Sequence, residues 1–266
     1  MDTSALRRVV AEPGSGLRDA LGLARSLWLY RRPGRQRGLR RLYAPFIAEG
    51  DLVFDIGAHV GDRALAFAAL GARVLALEPQ PMLARFLQRT IGRRRRVEVL
   101  EQAVGAAAGV AELQVSRATP TVSSIDARWT RRIGARNRSF AAVRWDRRIE
   151  VPVTTLDELI EIHGRPGFCK IDVEGHEAEV LAGLSRPLPA LSVEFVAGAL
   201  DGAGACVDRL ERLGEYRFNA VAGEQRRFQW DDWRPAGPVR DWLAAGADGL
   251  ASGDLYARLV DATLVR

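Results

Sequence analysis

Lysine is almost absent from this chain, and cysteine is scarce as well. Lys170 is the only lysine among 39 lysine and arginine residues, so arginine carries nearly all of the positive charge. Cys169 and Cys206 are the only cysteines, and neither lies in a CxxC pair or at a Cys/His ligand spacing. This pattern excludes a disulfide framework and a zinc-finger-type site. We expect both cysteines to be reduced and buried.

Long apolar runs are missing too. No stretch of the sequence approaches the ~20 apolar residues that a membrane span requires. The N-terminal segment is interrupted by Arg7, Arg8, Arg18 and Arg25, so it contains no apolar core long enough for a signal peptide. We therefore predict no membrane span and a cytoplasmic location.

The bulk composition is that of an ordinary globular domain. Hydrophobic residues make up 47% and charged residues 27% of the 266 residues, and no Pro/Gly/Ser-rich linker divides the chain, so one substantial core is expected. The formal net charge is +6. We attribute the excess of arginine mainly to composition bias, although a basic surface also favours an acidic substrate, a nucleic acid or an anionic membrane face.

Strand and helix patterns alternate along most of the chain. We assign residues 1–48 to an N-terminal helical prelude, because residues 17–47 carry apolar residues at helical spacing, and residues 49–266 to the main domain. The alternation in the main domain predicts an α/β fold, with a mostly parallel sheet covered by helices on both faces. Residues 116–148 are the one long stretch without clear periodicity, and we interpret them as a lid or substrate loop.

The segment VFDIGAHVGDRALAF carries the strongest functional signal. A strand is predicted to end at Asp55, Gly57 and Gly61 allow a tight turn, and a helix begins near Asp62. The order D-x-G-x-x-x-G differs from the GxGxxG of pyrophosphate binders, which argues against an NAD-dependent oxidoreductase. An acid at the strand end suits a cationic ligand, and S-adenosylmethionine (SAM) carries a sulfonium and an ammonium but no phosphate.

Polar residues also follow the next two strand patterns. Glu78 ends the second strand, about 20 residues beyond the glycine turn, where adenosine binders of this topology hold the ribose hydroxyls. Gln102 and Ala103 follow the third strand, where adenine should lie. The predicted SAM-binding residues are therefore Asp55, Gly57, His59, Gly61, Glu78, Gln102 and Ala103.

The segment KIDVEGHE contains the predicted active-site residues. Lys170 and Asp172 share one face of a strand, because side chains alternate along it. We predict that Asp172 or His176 is the general base and that Lys170 fixes Asp172 electrostatically. Glu174 and Glu177 are predicted to contact the substrate. A divalent metal could also bind among Asp172, Glu174 and Glu177, but their spacing matches no tight metal-ligand pattern, so no metal ligand is assigned.

Five segments occur in an order that resembles a known enzyme family. DIGAHVG, ALEPQP, EQAVG, VPVTTLDEL and KIDVEGHE, over roughly residues 45 to 200, look like the FkbM-type methyltransferases, a family of SAM-dependent O-methyltransferases. The resemblance implies a Rossmann-like, class I SAM-dependent methyltransferase fold. Its seven-stranded sheet would have one antiparallel strand near the carboxyl edge, for which GDLYARLV at 253–260 is the candidate. His59 stands where the family more often has Asn, and both side chains can donate a hydrogen bond.

The resemblance also implies an acceptor hydroxyl on a sugar, a glycolipid or a polyketide. An RNA or DNA methyltransferase is the main alternative, because Trp129 and Trp145 lie among arginines that could neutralise phosphate. No D/N-P-P-Y motif of amino-group methylation is present, so we expect a small-molecule or glycan acceptor and no nucleic-acid partner. A non-catalytic SAM-fold binding module is a further alternative, against which the intact acids Asp55, Glu78 and Asp172 argue. No sequence feature indicates an oligomeric state.

Overall fold

The computed structural model describes residues 22–28 and 34–261 of the chain. Residues 22–28 are helical. The rest of the predicted prelude before residue 34 lies outside the described residues, as do residues 262–266.

Strands and helices alternate as the sequence pattern predicts. The principal helices are α1 (Arg35–Tyr43), α2 (Asp62–Ala69), α3 (Pro81–Thr90), α4 (Ala127–Arg136), α5 (Leu156–His163), α6 (Glu177–Ala182), α7 (Leu200–Leu213) and α8 (Ala236–Ala244). The strands are β1 (Leu52–Ile56), β2 (Arg73–Leu77), β3 (Val97–Leu100), β4 (Ala103–Val104), β5 (Gly109–Val115), β6 (Arg147–Thr154), β7 (Phe168–Ile171), β8 (Ala190–Val196), β9 (Tyr216–Ala222) and β10 (Ser252–Leu259). Among the described residues, no helix has both the length and the apolar character needed to cross a membrane.

The main sheet has seven strands in the order β3-β2-β1-β7-β8-β10-β9. Its strands are parallel except for β10, which runs antiparallel to both β8 and β9. The predicted seven-stranded, mostly parallel sheet is therefore confirmed, and β10 is the antiparallel strand that GDLYARLV predicts. The chain runs outward from β1 to β3 and then returns to β7 on the other side of β1. Ligands are expected at the carboxyl ends of β1 and β7, where the strand order reverses.

Alternate residues of β1 point into two hydrophobic cores, one on each face of the sheet. Phe54 and Ile56 belong to the core that includes apolar residues of α5, α6, α7 and α8. Val53 belongs to the core that includes residues of α1, α2 and α3. This period of two explains why the central strands are almost wholly apolar, because both of their faces are covered. The prediction of helices on both faces is confirmed.

Helix α1 joins the described part of the prelude to the core of the sheet. Leu39, Leu42 and Tyr43 of this helix are buried. The Tyr43 ring contacts Phe67 of α2 and Phe168 of β7, with ring centroids 4.7 and 5.6 Å apart. Burial of these aromatic rings fixes α1 against the main domain.

Strands β4, β5 and β6 form a separate three-stranded sheet. β6 pairs parallel with β4 and antiparallel with β5. Its sequence, followed by α5, has the pattern of a strand–helix unit, but its hydrogen-bond partners lie outside the main sheet. Ala103, Leu113 and Val151 share the small core of this second sheet. The second sheet thereby holds Ala103 beside the carboxyl edge of the main sheet.

The segment 116–148, which the sequence predicts to lack regular structure, contains α4. Asp126 caps this helix, and its carboxylate accepts hydrogen bonds from the backbone N–H groups of Arg128 and Trp129. Trp129 and Ile133 are buried on one side of α4, while arginines cover the other side. Two apolar residues four positions apart are too few for a periodic pattern to stand out, which explains why the helix escapes prediction.

We predict that Tyr216→Phe destabilises the fold without changing its architecture. The Tyr216 hydroxyl accepts a hydrogen bond from the Leu188 N–H and donates one to the Leu188 carbonyl, each at 2.8 Å. Removing the hydroxyl leaves both buried backbone groups unpaired, so the free energy of unfolding should fall by about 1–3 kcal/mol. Urea unfolding measures this loss, and a variant as stable as the wild type would contradict it.

Candidate cofactor and active site

Polar side chains converge where β1, β7 and β8 end and β10 begins, and they line two adjoining cavities. The first, which we call the acidic cavity, has a volume of about 190 Å³, and its lining includes Asp55, His59, Lys170, Asp172, Glu174, Glu194 and Asp254. The second, the Glu78 cavity, has a lining that includes His59, Glu78, Gln102, Ala103, Asp172 and His176. His59 and Asp172 line both cavities, so the two meet at these side chains.

Two glycines shape the loop between β1 and α2. Gly57 and Gly61 have φ values of +80° and +78°, in the left-handed region that favours glycine. A Cβ atom at Gly57 would collide with the carbonyl oxygen of Asp172. The predicted tight turn therefore lies directly against the end of β7, and it brings Asp55 and Asp172 into one site.

Asp55 is buried at the end of β1, as predicted. Its side chain faces the acidic cavity, and its Oδ2 atom has no hydrogen-bond partner in the structure. Burial is the main reason that the pKa of Asp55 rises to about 7. A buried carboxylate with an unpaired oxygen is suited to receive a cationic or hydrogen-bonding ligand.

Glu78 is held at the end of β2 by two backbone groups. Its Oε2 atom accepts a hydrogen bond from the His59 N–H and its Oε1 atom accepts one from the Gln80 N–H, each at 2.9 Å. Burial raises the pKa of Glu78 to about 8, although both hydrogen bonds oppose the rise. Each oxygen keeps a second lone pair, so the carboxylate can still accept from two hydroxyls of a ligand.

Lys170 is buried between two carboxylates. Its Nζ atom lies 2.8 Å from Asp172 Oδ2 and 3.4 Å from Asp254 Oδ1. Burial alone would raise the pKa of Asp172, but the Lys170 ammonium holds it well below its usual range. Burial alone would lower the pKa of Lys170, yet the two carboxylates keep it well above its ordinary value. The predicted electrostatic contact between Lys170 and Asp172 is thus present, with Asp172 ionised.

The loop that follows β7 is held from two sides. Glu177 Oε1 accepts hydrogen bonds from the backbone N–H groups of Val173 and Gly175, at 3.0 and 3.2 Å. Ser124 donates a hydrogen bond of 2.6 Å to the carbonyl oxygen of Glu174. A Cβ atom at Gly175 would collide with the Trp129 ring. Glu177, predicted to contact the substrate, lines neither of the two cavities, and it shapes the loop that presents Glu174 to the acidic cavity.

The two candidate bases lie in different surroundings. Asp172 borders both cavities, whereas His176 lines the Glu78 cavity together with Gln102 and Ala103. Burial lowers the pKa of His176 below its ordinary value, so the imidazole is neutral at physiological pH. This arrangement brings His176 beside the predicted adenine-binding residues and leaves Asp172 at the junction of the cavities.

The sequence patterns do not single out Glu194 or Asp254, two of the acids that line the acidic cavity. Glu194 lies near the carboxyl end of β8, and Asp254 pairs with it across the antiparallel β8–β10 ladder. Glu194 follows the same rule of strand-end acids that identifies Asp55 and Glu78. Asp254 lies near the amino end of its strand, so it reaches this edge only because β10 runs antiparallel.

An ion-pair network closes the rim of the acidic cavity. Arg63 contacts Asp62 at 2.7 Å and Glu224 at 3.1 Å. Arg35 of α1 contacts the same two acids at 3.3 and 2.6 Å. The prelude thus contributes a side chain to the site, which no sequence motif indicates.

The sequence profile of the methyltransferase FkbM domain matches residues 55–245, which is most of the chain. The chain belongs to the FkbM methyltransferase family. This assignment makes it a methyltransferase, and its main sheet has the strand order of the class I SAM-dependent methyltransferase fold. No curated protein sequence matches this FkbM methyltransferase.

Solved structures of other methyltransferases resemble the fold at low sequence identity. A precorrin-6y C5,15-methyltransferase from Geobacter metallireducens is 14% identical with a TM-score of 0.44, covering 85% of this chain and 87% of its own. A SAM-dependent O-methyltransferase from Thermotoga maritima is 11% identical with a TM-score of 0.45, covering 90% and 71%. Fibrillarin from Aeropyrum pernix, solved with bound SAM, is 12% identical with a TM-score of 0.43, covering 80% and 68%.

We predict that Gly57→Ala lowers the free energy of unfolding of this FkbM methyltransferase more than Gly50→Ala does. Both glycines have left-handed φ values, +80° and +90°, so each substitution strains the backbone by about 1–2 kcal/mol. A Cβ atom at Gly50 meets open space, whereas one at Gly57 must displace the Asp172 carbonyl. Urea unfolding should show an extra loss of about 1–3 kcal/mol for Gly57→Ala. Equal losses in the two variants would contradict the close packing of these loops.

Proposed function

We propose that this FkbM methyltransferase transfers the methyl group of SAM to a hydroxyl of a small molecule, a sugar or glycolipid, or a polyketide. The observation that carries the proposal is that an ionised Asp172, held by Lys170, lies where the acidic cavity meets the Glu78 cavity. SAM supplies an activated methyl group, and the protein must align it with the acceptor oxygen and accept the hydroxyl proton.

The two cavities are suited to different parts of SAM. Glu78 has free lone pairs for the ribose hydroxyls, and Gln102, Ala103 and His176 form the adenine side of the same cavity. Asp55, with its unpaired buried oxygen, is suited to the ammonium of the methionine part. The residues of this chain therefore fit SAM by charge and by hydrogen-bonding capacity.

Asp172 is the better supported of the two candidate bases. Because Lys170 keeps it ionised, its carboxylate can accept a proton at neutral pH, although a carboxylate of low pKa is a weak base. A hydroxyl becomes much more acidic as its oxygen begins to bond to the methyl carbon, which makes a weak base sufficient late in the transfer. Lys170 acts by positioning Asp172 and fixing its charge.

The first part of the 116–148 segment fits the role of a lid over the cofactor site. Gln80 donates a hydrogen bond of 2.6 Å to the Pro120 carbonyl, and Ser124 holds the Glu174 carbonyl. With the segment in this position, Ser123 and Ile125 line the Glu78 cavity together with Gln80 and Gln102. Because these residues of the segment form part of the cavity wall, we propose that the segment moves as the cofactor enters and leaves.

The surface of the same segment favours a negatively charged acceptor. Seven of its arginines are exposed, namely Arg128, Arg131, Arg132, Arg136, Arg138, Arg144 and Arg148. Trp129 packs against Gly175 from the buried side of α4, and Arg132 of the same helix lines a cavity together with Gly175 and Glu177. A phosphate- or carboxylate-bearing glycan or lipid headgroup fits this charge. RNA or DNA fits it as well and is the second candidate acceptor.

We also propose a cytoplasmic location for the protein. Cys169 and Cys206 are both free and buried, which suits a reducing compartment.

We predict that the affinity for S-adenosylhomocysteine (SAH) depends on pH through Asp55. SAH keeps the ammonium of SAM, and protonation of Asp55 below its pKa of about 7 removes the charge that faces it. Calorimetric titration should therefore give a Kd about tenfold weaker at pH 6 than at pH 8. Asp55→Asn should bind weakly with this ratio abolished.

Glu78→Gln is the matched control for that titration. It replaces a buried carboxyl group that is proposed to face the neutral ribose hydroxyls and not the ammonium, so it should weaken SAH binding at both pH values while leaving the pH ratio near that of the wild type. No SAH binding by the folded wild-type protein would overturn the cofactor assignment. A pH ratio that persists in Asp55→Asn would overturn the role of Asp55 alone.

We predict that methyl-labelled SAM yields a base-stable methyl ether on an anionic hydroxyl acceptor. We also predict that Arg131 and Arg132 lower the KM for this acceptor. A panel of anionic glycans and glycolipids, neutral glycans, polyketides and RNA tests this. The double substitution Arg131→Glu/Arg132→Glu should raise the KM for the anionic acceptor by about tenfold or more, with kcat little changed. Label released by base would indicate a methyl ester, so that result, or label found in amines, would contradict methylation of a hydroxyl, and label in RNA would favour the second candidate.

Arg94→Glu/Arg95→Glu is the control for charge alone. These two arginines are exposed just before the amino end of β3, at the opposite edge of the sheet from the cavities. The substitution makes the same change in net charge and should leave the KM unchanged. An equal rise in KM for both double variants would show that net charge, and not the arginine surface, attracts the acceptor.

A further inference from the structure

Three side chains in the acidic cavity have the chemistry of metal ligands. His59, Asp172 and Glu174 each offer a nitrogen or oxygen atom, and these three atoms all lie within 4.8 Å of one another. Ligand atoms bound at about 2.0–2.2 Å to one ion are separated by roughly 3–4.3 Å. Small side-chain rotations would therefore bring the three atoms onto one ion.

Two of these side chains have oxygen atoms without partners. Glu174 is only 6% exposed, lines the acidic cavity, and has no hydrogen-bond partner for Oε2. Asp172 Oδ1 is likewise unpaired, while Lys170 binds the other oxygen, Oδ2, at 2.8 Å. Burying an ionised carboxylate oxygen without a partner is costly unless a ligand satisfies it. Lys170 thus orients Asp172 and leaves Oδ1 available.

Carboxyl groups outnumber cationic groups around this point. Asp55, Glu194 and Asp254 line the same cavity, and Glu194 Oε2 is also unpaired. Lys170 and Arg63 are the cations of this lining, and Arg63 is already engaged with Asp62 and Glu224. A divalent cation would offset the repulsion among the carboxylates.

The cationic groups of SAM do not account for all of these atoms. The Glu78 cavity, proposed for adenosine, is lined by His59 and Asp172 but not by Glu174. Glu174 therefore faces the part of the acidic cavity that is further from the nucleoside. That position leaves room for a ligand in addition to the cofactor.

We propose that His59, Asp172 and Glu174 bind one divalent transition-metal ion. One imidazole and two carboxylates match the ligand preferences of Mn²⁺ or Zn²⁺ better than those of Ca²⁺. Three protein ligands leave coordination positions open, and an acceptor hydroxyl oxygen could take one of them next to Asp172. The role of the metal ion toward the acceptor rests on the proposed function, but the binding of the metal ion does not. The ligands come from two loops far apart in sequence, so no local spacing motif indicates the site.

The test is titration of the EDTA-treated, dialysed full-length protein with MnCl₂, in the absence of SAH, followed by electron paramagnetic resonance of free Mn²⁺. We expect one saturable site. His59→Asn removes the nitrogen ligand without changing charge, and Glu174→Gln removes an oxygen ligand; each should weaken Mn²⁺ binding at least tenfold. Circular dichroism and thermal unfolding establish that each variant is folded.

Glu194→Gln is the control for electrostatic attraction alone. It removes the same charge as Glu174→Gln from the same cavity but none of the proposed ligands, so it should keep most of the Mn²⁺ affinity. No saturable binding by the wild-type protein, or equal losses in Glu174→Gln and Glu194→Gln, would overturn the proposal. SAH titration in the presence of EDTA tests the cofactor function separately, so failure of the metal site and failure of the methyltransferase proposal are distinguishable.

Discussion

The ammonium group of Lys170 is buried where the central strands of the main sheet meet, and its two carboxylate partners come from different strands. Asp172 follows β7 and Asp254 lies on the antiparallel β10, so one cation joins the parallel and antiparallel parts of the sheet. Arginine, which carries the charge elsewhere in the chain, has a wide planar head that prefers paired, bidentate contacts. A compact ammonium fits between two separate carboxylates. Removing either partner would leave an uncompensated buried charge, which is strongly destabilising.

The charge of Lys170 has a second effect, on the ionisation of the site. Asp55, Glu78 and Glu174 all have raised pKa values because burial outweighs the interactions that stabilise their ionised forms. Asp172 differs, because the ammonium at 2.8 Å keeps it ionised. The site therefore contains a permanently charged carboxylate at Asp172 and several carboxyl groups whose charge depends on pH and on what binds beside them. Such a separation of pKa values is typical of sites that handle protons or cationic ligands.

The loop after β7 links the Lys170–Asp172 ion pair to the 116–148 segment. Glu177 holds the loop from inside through two backbone N–H groups, and Ser124 and Trp129 hold it from outside. Pro120 of the 116–148 segment also accepts a hydrogen bond from Gln80, which lines the Glu78 cavity. Any movement of the 116–148 segment that opens the Glu78 cavity would therefore also shift the loop that carries Glu174. This coupling provides a physical route by which cofactor binding and acceptor binding could influence each other.

Much of the site could be predicted from local sequence. Asp55, Glu78 and the KIDVEGHE segment were identifiable because strand ends, glycine turns and helix starts are local patterns, and parallel strands bring their carboxyl ends to one edge. Glu194 was accessible to the same reasoning, but it lies two residues before the end of its strand and not at the end itself. Asp254 and Arg35 were not accessible, because one depends on the direction of β10 and the other on the packing of α1.

The sequence by itself determined the alternation of strands and helices, the mostly parallel sheet and the side chains offered at the ends of β1, β2 and β7, since each depends on residues close together in the chain. Tertiary structure decided that β6 joins a second sheet, that α4 packs on the active-site loop, and that His59 meets Asp172 and Glu174. Those features are contacts between distant segments. They are set by which surfaces can be buried together, and that choice is made by the whole core and not by any one stretch of sequence.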